Sequence, residues 1–280
     1  MQILAKGRAL RAGIFSFHSC FESVLNFKSE EDHLISIVNP TKGAGAKRIV
    51  VDDFSFLKKS EDLFLKIDKN LFELSIFSRP EMKIVFQTEL ESIPWGGSTI
   101  SCFDLTFFKS KLSFLERFLV KNAPQKSLFF LMDEKRIKNL TSSFEKVWVE
   151  SMKSAYSFVG KKSISDVLCA FKGKGIGLTP SGDDFNLGFL TALCLQKLSG
   201  PEYFVLARGE NIFVNNFLTE LEQGFVNEKV AFFLSSFDKS DGVLQDAALD
   251  ICSQGETSGA DWLMGFISGF SVNGGRPYVY

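Results

Sequence analysis

Two short motifs in the second half of the chain carry hydroxyl, carboxylate and glycine residues at the same spacing. Residues 181–190 read Ser-Gly-Asp-Asp-Phe-Asn-Leu-Gly-Phe-Leu, and residues 258–267 read Ser-Gly-Ala-Asp-Trp-Leu-Met-Gly-Phe-Ile. A serine followed three residues later by an acid is typical of a helix start, where the serine caps the helix and the acid reaches back to the serine amide. Each motif therefore predicts a helix N-terminus with free amides and a hydroxyl, groups that bind phosphate, carbamoyl or carboxylate oxygens.

Each motif also places a glycine four residues after its acid, Gly188 after Asp184 and Gly265 after Asp261. Residues four apart lie on the same face of a helix, one turn from each other. A glycine inside a helix costs about 0.5–1 kcal/mol relative to alanine, so its presence in both motifs indicates a close approach of two backbones. We expect the two helices to cross near these glycines and to bring their N-termini to one polar site.

The loop before the first motif has the composition of an anion-binding segment. Residues 173–180 read Gly-Lys-Gly-Ile-Gly-Leu-Thr-Pro, and glycines let a backbone approach a ligand closely. No Gly-Lys-Ser/Thr sequence follows, so the loop is not a nucleotide-binding P-loop. Helix capping alone would explain one hydroxyl and one acid, but not an extra threonine, a second acid and a second copy of the motif. The residues predicted to bind substrate are Gly177, Thr179, Ser181, Gly182, Thr257, Ser258, Gly259 and Asp261.

Three acidic residues are candidates for catalysis, namely Asp183, Asp184 and Glu256. Two adjacent carboxylates would repel an anion unless a cation lies between them or one of them has a structural role. A magnesium ion bound by Asp183 and Asp184 is therefore one hypothesis, and no other cofactor is expected. Glu256 is interpreted either as a general base or amide acceptor, or as an acid that only complements the helix dipole.

The composition narrows the class of protein. The 280 residues carry 32 basic and 33 acidic side chains, which gives no electrostatic reason to expect a nucleic acid or an anionic membrane as a partner. No apolar run is long enough for a membrane span or a signal peptide. Five dispersed cysteines and two histidines argue against a disulfide framework, a zinc site or a Ser-His-Asp triad, and a cytoplasmic location is expected.

The hydrophobic pattern changes along the chain and predicts an α+β fold. From about residue 10 to 108 it alternates every second residue in short runs, which indicates mostly antiparallel strands, including one over 103–107. Beyond residue 109 the spacing of three and four predicts helices, including one long helix over 133–159. We expect a β-rich domain over residues 1–130 and a helical domain over 131–280 that carries both motifs, with a soft boundary that leaves a single structural unit open.

Two phrases of the chain resemble the signatures of a known family. Residues 175–185 read Gly-Ile-Gly-Leu-Thr-Pro-Ser-Gly-Asp-Asp-Phe, and residues 255–261 read Gly-Glu-Thr-Ser-Gly-Ala-Asp. They are similar to the two signatures of the AllH family, bacterial proteins associated with the oxamate carbamoyltransferase subunit of anaerobic allantoin degradation. The resemblance extends over most of the chain, because residues 34–52 also fit the family pattern of strand, polar loop and strand.

The resemblance implies a subunit that works with partner subunits of a hetero-oligomeric enzyme. The group transferred would be a carbamoyl group, exchanged between carbamoyl phosphate and oxamate or a related small acid. By this resemblance Thr179, Ser181 and the nearby amides bind the anion, and Asp183 and Asp184 contact a metal ion or the substrate amide. Ser258 and Asp261 would form the facing wall of the site.

The chain departs from the family pattern at Glu256, where histidine is expected, and at three asparagines in place of threonine and serine, Asn211, Asn215 and Asn216. A changed substrate and a loss of catalysis are both compatible with these differences. Two alternative functions follow: a non-catalytic subunit that binds a small ligand or a partner, and a magnesium-dependent hydrolase that uses Asp183 and Asp184.

Overall fold

A computed structural model describes residues 3–53, 63–68, 71–76, 79–87, 105–175 and 177–271. Residues 93–98, whose sequence Ile-Pro-Trp-Gly-Gly-Ser predicts a turn, lie outside these ranges. Contacts divide the chain into two compact units, one comprising Met1–Ser98 with Gly224–Glu228 and the other Thr99–Gln223 with Lys229–Tyr280. The boundary at residue 130 stays a prediction, and the first helix, which precedes it, groups with the second unit.

The first unit is built on one sheet. Its described strands are β1 (Ile3–Lys6), β2 (Gly13–Phe21), β3 (Val24–Lys28), β4 (Leu34–Val38), β5 (Arg48–Val51), β6 (Leu63–Asp68), β7 (Leu71–Ile76) and β8 (Arg79–Gln87). The strand order is β1-β5-β4-β3-β2-β6-β7-β8, and among these described strands only β4 and β5 pair in parallel. The predicted mostly antiparallel, β-rich N-terminal half is therefore confirmed.

The two-residue period of the sequence explains how the sheet buries its apolar face. In β6 the side chains of Leu63, Leu65 and Ile67 are buried, while those of the intervening residues are not. They join Phe15 and Phe27 in the core of this unit. In β4 and β5, by contrast, adjacent residues are buried, and Val38 and Val50 belong to a second apolar cluster.

The second unit is helical. Its described helices are α1 (Leu105–Asn122), α2 (Ser143–Tyr156), α3 (Ile164–Phe171), α4 (Ser181–Leu195), α5 (Pro201–Ala207), α6 (Ile212–Glu222), α7 (Glu228–Ser235), α8 (Asp241–Cys252) and α9 (Ser258–Gly269). Together with the sheet they confirm the α+β class. Among the described residues, no helix is both long and apolar enough to cross a membrane.

Two sequence predictions about elements of this unit were wrong. The strand expected over 103–107 is replaced from Leu105 by α1. The long helix expected over 133–159 is split into a 3-10 helix, Glu134–Asn139, and α2. The cause of the split is local, because Ser142 and Glu145 form a complete capping box that starts a new helix.

The helix α4 lies at the centre of this unit. All of its residues from Ser181 to Leu193 are buried, although the segment includes two acids, an asparagine and a threonine. Phe185 stacks on Phe171 of α3 with ring centroids 3.8 Å apart. A helix that is buried on all sides must satisfy its polar side chains internally, and the partners of those side chains define the candidate site.

Candidate functional site

The helices α4 and α9 cross at the two repeated glycines, as the sequence predicts. A Cβ atom added at Gly188 would lie 1.8 Å from the carbonyl oxygen of Trp262, and one added at Gly265 would lie 1.9 Å from that of Phe185. Both distances are far below any real Cβ contact, so only glycine fits at either position. The crossing holds the two motifs at a fixed distance from each other.

The glycine that follows each serine has a second, equivalent packing role. A Cβ atom at Gly182 would lie 2.0 Å from the carbonyl oxygen of Phe171 in α3, and one at Gly259 would lie 1.8 Å from that of Ile251 in α8. Each motif therefore packs against the helix before it in the same way. Gly182 and Gly259, predicted to bind substrate, are tightly packed here, and their substrate contacts stay a prediction.

The amides at the two helix starts are less available than the sequence suggested. The amide of Gly182 donates to the carbonyl oxygen of Lys174 at 2.8 Å, and the amide of Gly259 donates to that of Gln254 at 3.1 Å. The loop before each helix thus occupies one N-terminal donor. The expectation that these amides are free was wrong at both positions.

The expected capping boxes at the two motifs were also wrong. The cap positions are held by Pro180 and Thr257, neither of which makes a side-chain cap hydrogen bond, so Ser181 and Ser258 are the first helical residues. Proline has a fixed φ that suits this position. The serine and aspartate side chains are consequently free to make contacts between the two motifs instead of within each one.

Three side chains from the two motifs meet where α4 and α9 begin. The Ser258 hydroxyl donates to Oδ2 of Asp184 at 2.6 Å. The Thr179 hydroxyl donates to the same carboxylate oxygen at 3.1 Å, and its oxygen lies 2.7 Å from Oγ of Ser258. We call Thr179, Asp184 and Ser258 the hydroxyl triad. Two of its members are partly exposed, whereas Asp184 is only 6 % exposed, so the triad joins the surface to a buried acid.

The environment of Asp184 favours its protonated form. Burial raises the pKa of Asp184 well above its usual range, and the hydrogen bonds from Ser258 and Thr179 lower it in part. The nearby negative charges of Asp261 and Asp183 raise the pKa of Asp184 further. The acid at the centre of the site is therefore unlike an ordinary surface carboxylate.

The second motif contributes an acid that is fully buried. Asp261 is 0 % exposed, and its Oδ1 accepts a hydrogen bond from the amide of Leu128 at 2.6 Å. Its Oδ2 has no hydrogen-bond partner among the described residues. Burial raises the pKa of Asp261 to about 7, and the hydrogen bond from the Leu128 amide opposes this rise.

Two further buried groups of the helical unit, Arg136 and Cys252, were not predicted by the sequence analysis. Arg136 donates to the carbonyl oxygens of Val120 at 2.6 Å and Ala123 at 2.8 Å, after the last turns of α1. Burial raises the pKa of Cys252 to about 12, and the charge of Asp261 raises it further while that of Arg136 lowers it. The thiol is therefore un-ionised, and Arg136 is held by backbone carbonyls.

The two adjacent acids of the first motif have different partners. Oδ1 of Asp183 accepts a hydrogen bond from the amide of Gly173 at 2.7 Å, while Asp184 belongs to the hydroxyl triad. Burial raises the pKa of Asp183, whereas the Gly173 bond and the charge of Lys172 lower it. Within the described ranges no group of three or more His, Cys, Asp or Glu is placed to hold a metal ion. Magnesium binding by Asp183 and Asp184 stays a prediction.

The remaining predicted site residues, Gly177, Thr257 and Glu256, are each one or two positions in sequence from a triad residue and are at least partly exposed. Gly177 is exposed and has a φ of 101°, which favours glycine. Thr257, directly before α9, is partly exposed, and Glu256 is exposed. The structure therefore brings Thr179, Asp184 and Ser258 into contact and leaves Glu256 two residues from the triad in sequence.

One further residue connects to the site, and the sequence analysis noted it only as a departure from a pattern. The side-chain amide of Asn211 donates to the carbonyl oxygen of Leu178 at 2.6 Å. Leu178 directly precedes Thr179 of the triad. An asparagine before an apolar helical pattern is a recognisable N-cap signal, but its second contact is long-range and leaves no trace in the local sequence.

The fold and site define a helical unit whose centre is two crossed helices joined by a hydroxyl–carboxylate cluster. Comparison with known protein families finds a match for the segment that contains both motifs. The model of the family described as oxamate carbamoyltransferase subunit AllH matches residues 171–270, which contain both motifs. This match confirms the resemblance to the AllH family, whose name points to a subunit of oxamate carbamoyltransferase. No curated protein and no solved structure matches the chain.

Proposed function

We propose that the chain is a carbamoyltransferase-type subunit that acts on carbamoyl phosphate and oxamate or a related small acid, and that the hydroxyl triad is part of its substrate site. The observation that carries this proposal is the hydrogen bond from Ser258 to Asp184 at 2.6 Å. It joins one residue from each of the two family motifs. A ligand at this point could contact both motifs at once.

The raised pKa of Asp184 lessens the main difficulty of an anion site that contains acids. A carboxylate would repel the phosphate of carbamoyl phosphate or the carboxylate of oxamate. A carboxylic acid kept neutral by burial is instead a hydrogen-bond donor, and it stabilises oxyanions in known active sites. Thr179 and Ser258, whose hydroxyls donate to Asp184, are partly exposed and place two further polar groups beside it.

The proposed reaction is a transfer between two small molecules. The amide nitrogen of oxamate attacks the carbonyl carbon of carbamoyl phosphate, and a carbon–nitrogen bond forms. The bond from that carbon to the phosphate oxygen breaks, and phosphate leaves with the electron pair. The attacking nitrogen loses a proton, and Glu256, exposed before α9, is the residue we propose to accept it. Partner subunits would supply the remaining contacts.

The test measures ligand binding by thermal stabilisation. Wild-type protein is melted with oxamate, carbamoyl phosphate or inorganic phosphate, and a ligand at 100 times its dissociation constant stabilises the folded state by about 2.7 kcal/mol. For a unit of this size the melting temperature should rise by about 5–11 °C. A wild-type protein that responds to none of the three ligands would refute the proposed site.

Two serine variants separate a ligand role from a folding role. Ser258→Ala removes a hydroxyl that caps no helix, and it should abolish the ligand response. Ser163→Ala removes the capping box of α3, and it should cost about 0.5–2 kcal/mol while the ligand response persists. If Ser258→Ala retains the response, the triad does not bind the ligand. Phosphate release from carbamoyl phosphate, measured with and without partner subunits, distinguishes an enzyme from an assembly subunit.

A further inference from the structure

The side chain of Asn211 connects two segments of the helical unit. Its Oδ1 accepts hydrogen bonds from the amides of Phe213 at 2.9 Å and Val214 at 3.2 Å, so it caps the start of α6. Its Nδ2 donates to the carbonyl oxygen of Leu178 at 2.6 Å, in the loop before α4. One amide group therefore holds a helix start with its oxygen and the glycine-rich loop with its nitrogen.

Helix capping explains only half of this arrangement. An N-cap residue needs an acceptor oxygen, and aspartate, serine and threonine supply one as well as asparagine does. Of these side chains, aspartate has no hydrogen to donate to Leu178 at neutral pH. The donor half of Asn211 thus has a role that capping does not require.

The loop held by Asn211 needs such a contact. Gly173, Gly175 and Gly177 have φ values of 67°, 112° and 101°, a region that glycine enters freely and other residues rarely adopt. Glycine-rich backbone has many accessible conformations, and ordering it costs entropy. The loop is tied at its beginning by the bond from the Gly173 amide to Asp183. The contact to Leu178 ties it near its end, next to Thr179.

We propose that Asn211 is a positioning residue, which fixes the loop carbonyl at Leu178 and so holds the Thr179 hydroxyl at Asp184 and Ser258 for ligand binding. This inference rests on the proposed function of the hydroxyl triad. It concerns a residue outside both motifs and outside the loop itself. It assigns to Asn211 a share in the affinity for a small acid, although the residue is not part of the triad.

The substitution Asn211→Asp isolates the donor. Aspartate retains the two cap hydrogen bonds to Phe213 and Val214 and is as good an N-cap as asparagine. Its second oxygen would face the Leu178 carbonyl at 2.6 Å, where two acceptors repel. We expect a melting temperature close to that of the wild type without ligand, and an affinity for oxamate or carbamoyl phosphate lower by about tenfold or more.

The matched control is Asn215→Asp. Asn215 lies four residues further along, and its side-chain amide also donates to a backbone carbonyl, that of Gly209 at 2.8 Å, while its oxygen accepts from the Gly209 amide. The change in charge and the loss of one donor are therefore the same, but the contact does not reach the loop before α4. This variant should bind oxamate and carbamoyl phosphate with wild-type affinity.

Amide hydrogen exchange measures the positioning without any ligand. In Asn211→Asp, peptides that span the loop before α4 should exchange about tenfold faster, while those of α6 remain protected. Unchanged exchange in the loop, or wild-type affinity in this variant, would overturn the role of Asn211. If the wild type binds none of the ligands yet its loop loosens on substitution, the proposed function fails and the anchoring by Asn211 stands.

Discussion

Replacing Gly188 with alanine tests the crossing of α4 and α9 with the smallest possible change. A Cβ atom at this position would lie 1.8 Å from the Trp262 carbonyl oxygen and 2.8 Å from the Phe266 amide nitrogen. Both contacts are backbone atoms, which cannot rotate away as a side chain can. Because Cβ atoms essentially never come within 3.0 Å of such an atom, the helices must separate locally by about 1.2 Å.

The free energy of this separation is large compared with the gain in helix propensity. Alanine in a helix is favoured over glycine by about 1 kcal/mol. A gap of 0.5–1 Å, however, forfeits about a quarter to a half of the dispersion energy of each contact along the interface. Overpacking in a close-packed interior costs about 1–3 kcal/mol, and we expect the upper end here because backbone meets backbone. After the gain of about 1 kcal/mol in helix propensity, a net loss of about 2 kcal/mol would lower the melting temperature by about 4–8 °C.

Urea unfolding followed by far-UV circular dichroism measures this loss, with Gly242→Ala as the control. Gly242 lies in α8, and a Cβ atom added there has no atom within 4 Å. That substitution should leave stability unchanged or raise it by up to about 1 kcal/mol. Gly265→Ala should behave like Gly188→Ala, since its Cβ would lie 1.9 Å from the Phe185 carbonyl oxygen. If Gly188→Ala is as stable as Gly242→Ala, the helices do not touch at these glycines.

The remaining predictions concern the two buried acids of the site and a metal ion. A folded-state pKa of about 7 for Asp261, well above that of an unfolded aspartate, means that the native state binds the extra proton between about pH 4 and 7. The stability of the wild type should therefore fall as the pH rises through this window. Relative to the wild type, Asp261→Asn should gain up to about 1.4 kcal/mol in its free energy of unfolding per pH unit. A difference between the two proteins that does not change with pH would contradict the raised pKa of Asp261. Glu116, with a pKa raised to about 7 by burial, titrates in both proteins and cancels from the comparison. If Asp183 and Asp184 hold magnesium, titration calorimetry with oxamate present should detect its binding, and Asp183→Asn should abolish it; an absence of binding heat would remove the magnesium hypothesis.

The sequence predicted the helix crossing because its signal is intrinsic to the motif. A glycine at the same place in two helices has few explanations other than close packing, and Gly188 and Gly265 meet backbone atoms of the opposite helix. The bounds of α3, Ile164–Phe171, follow equally from its apolar spacing. Features that depend on the spacing of a helix's own apolar and glycine residues are thus recoverable from the pattern alone.

The contacts of the site were less predictable because they are made between distant segments. Ser181 and Ser258 have the local signature of caps, yet Ser258 instead donates to Asp184, 74 residues earlier in the sequence. Local rules describe which partners are near in the chain and do not weigh partners brought close by folding. In contrast, Ser142 and Glu145 have the same local signature and do form the capping box that it predicts. The two cases differ because Ser258 lies beside a second helix, which supplies its partner Asp184.

The near-complete burial of α4 has a consequence for the order in which this protein folds during synthesis. The helix α9, which packs on α4, begins only at Ser258. During synthesis the apolar surface of α4 is therefore exposed until the ribosome has added the intervening residues. Pairings between distant segments also form slowly, because the intervening chain must first be closed into a loop. Folding intermediates in which α4 is still exposed would be the species that chaperones bind. Substitutions at Gly188 or Gly265 would lengthen the lifetime of these intermediates.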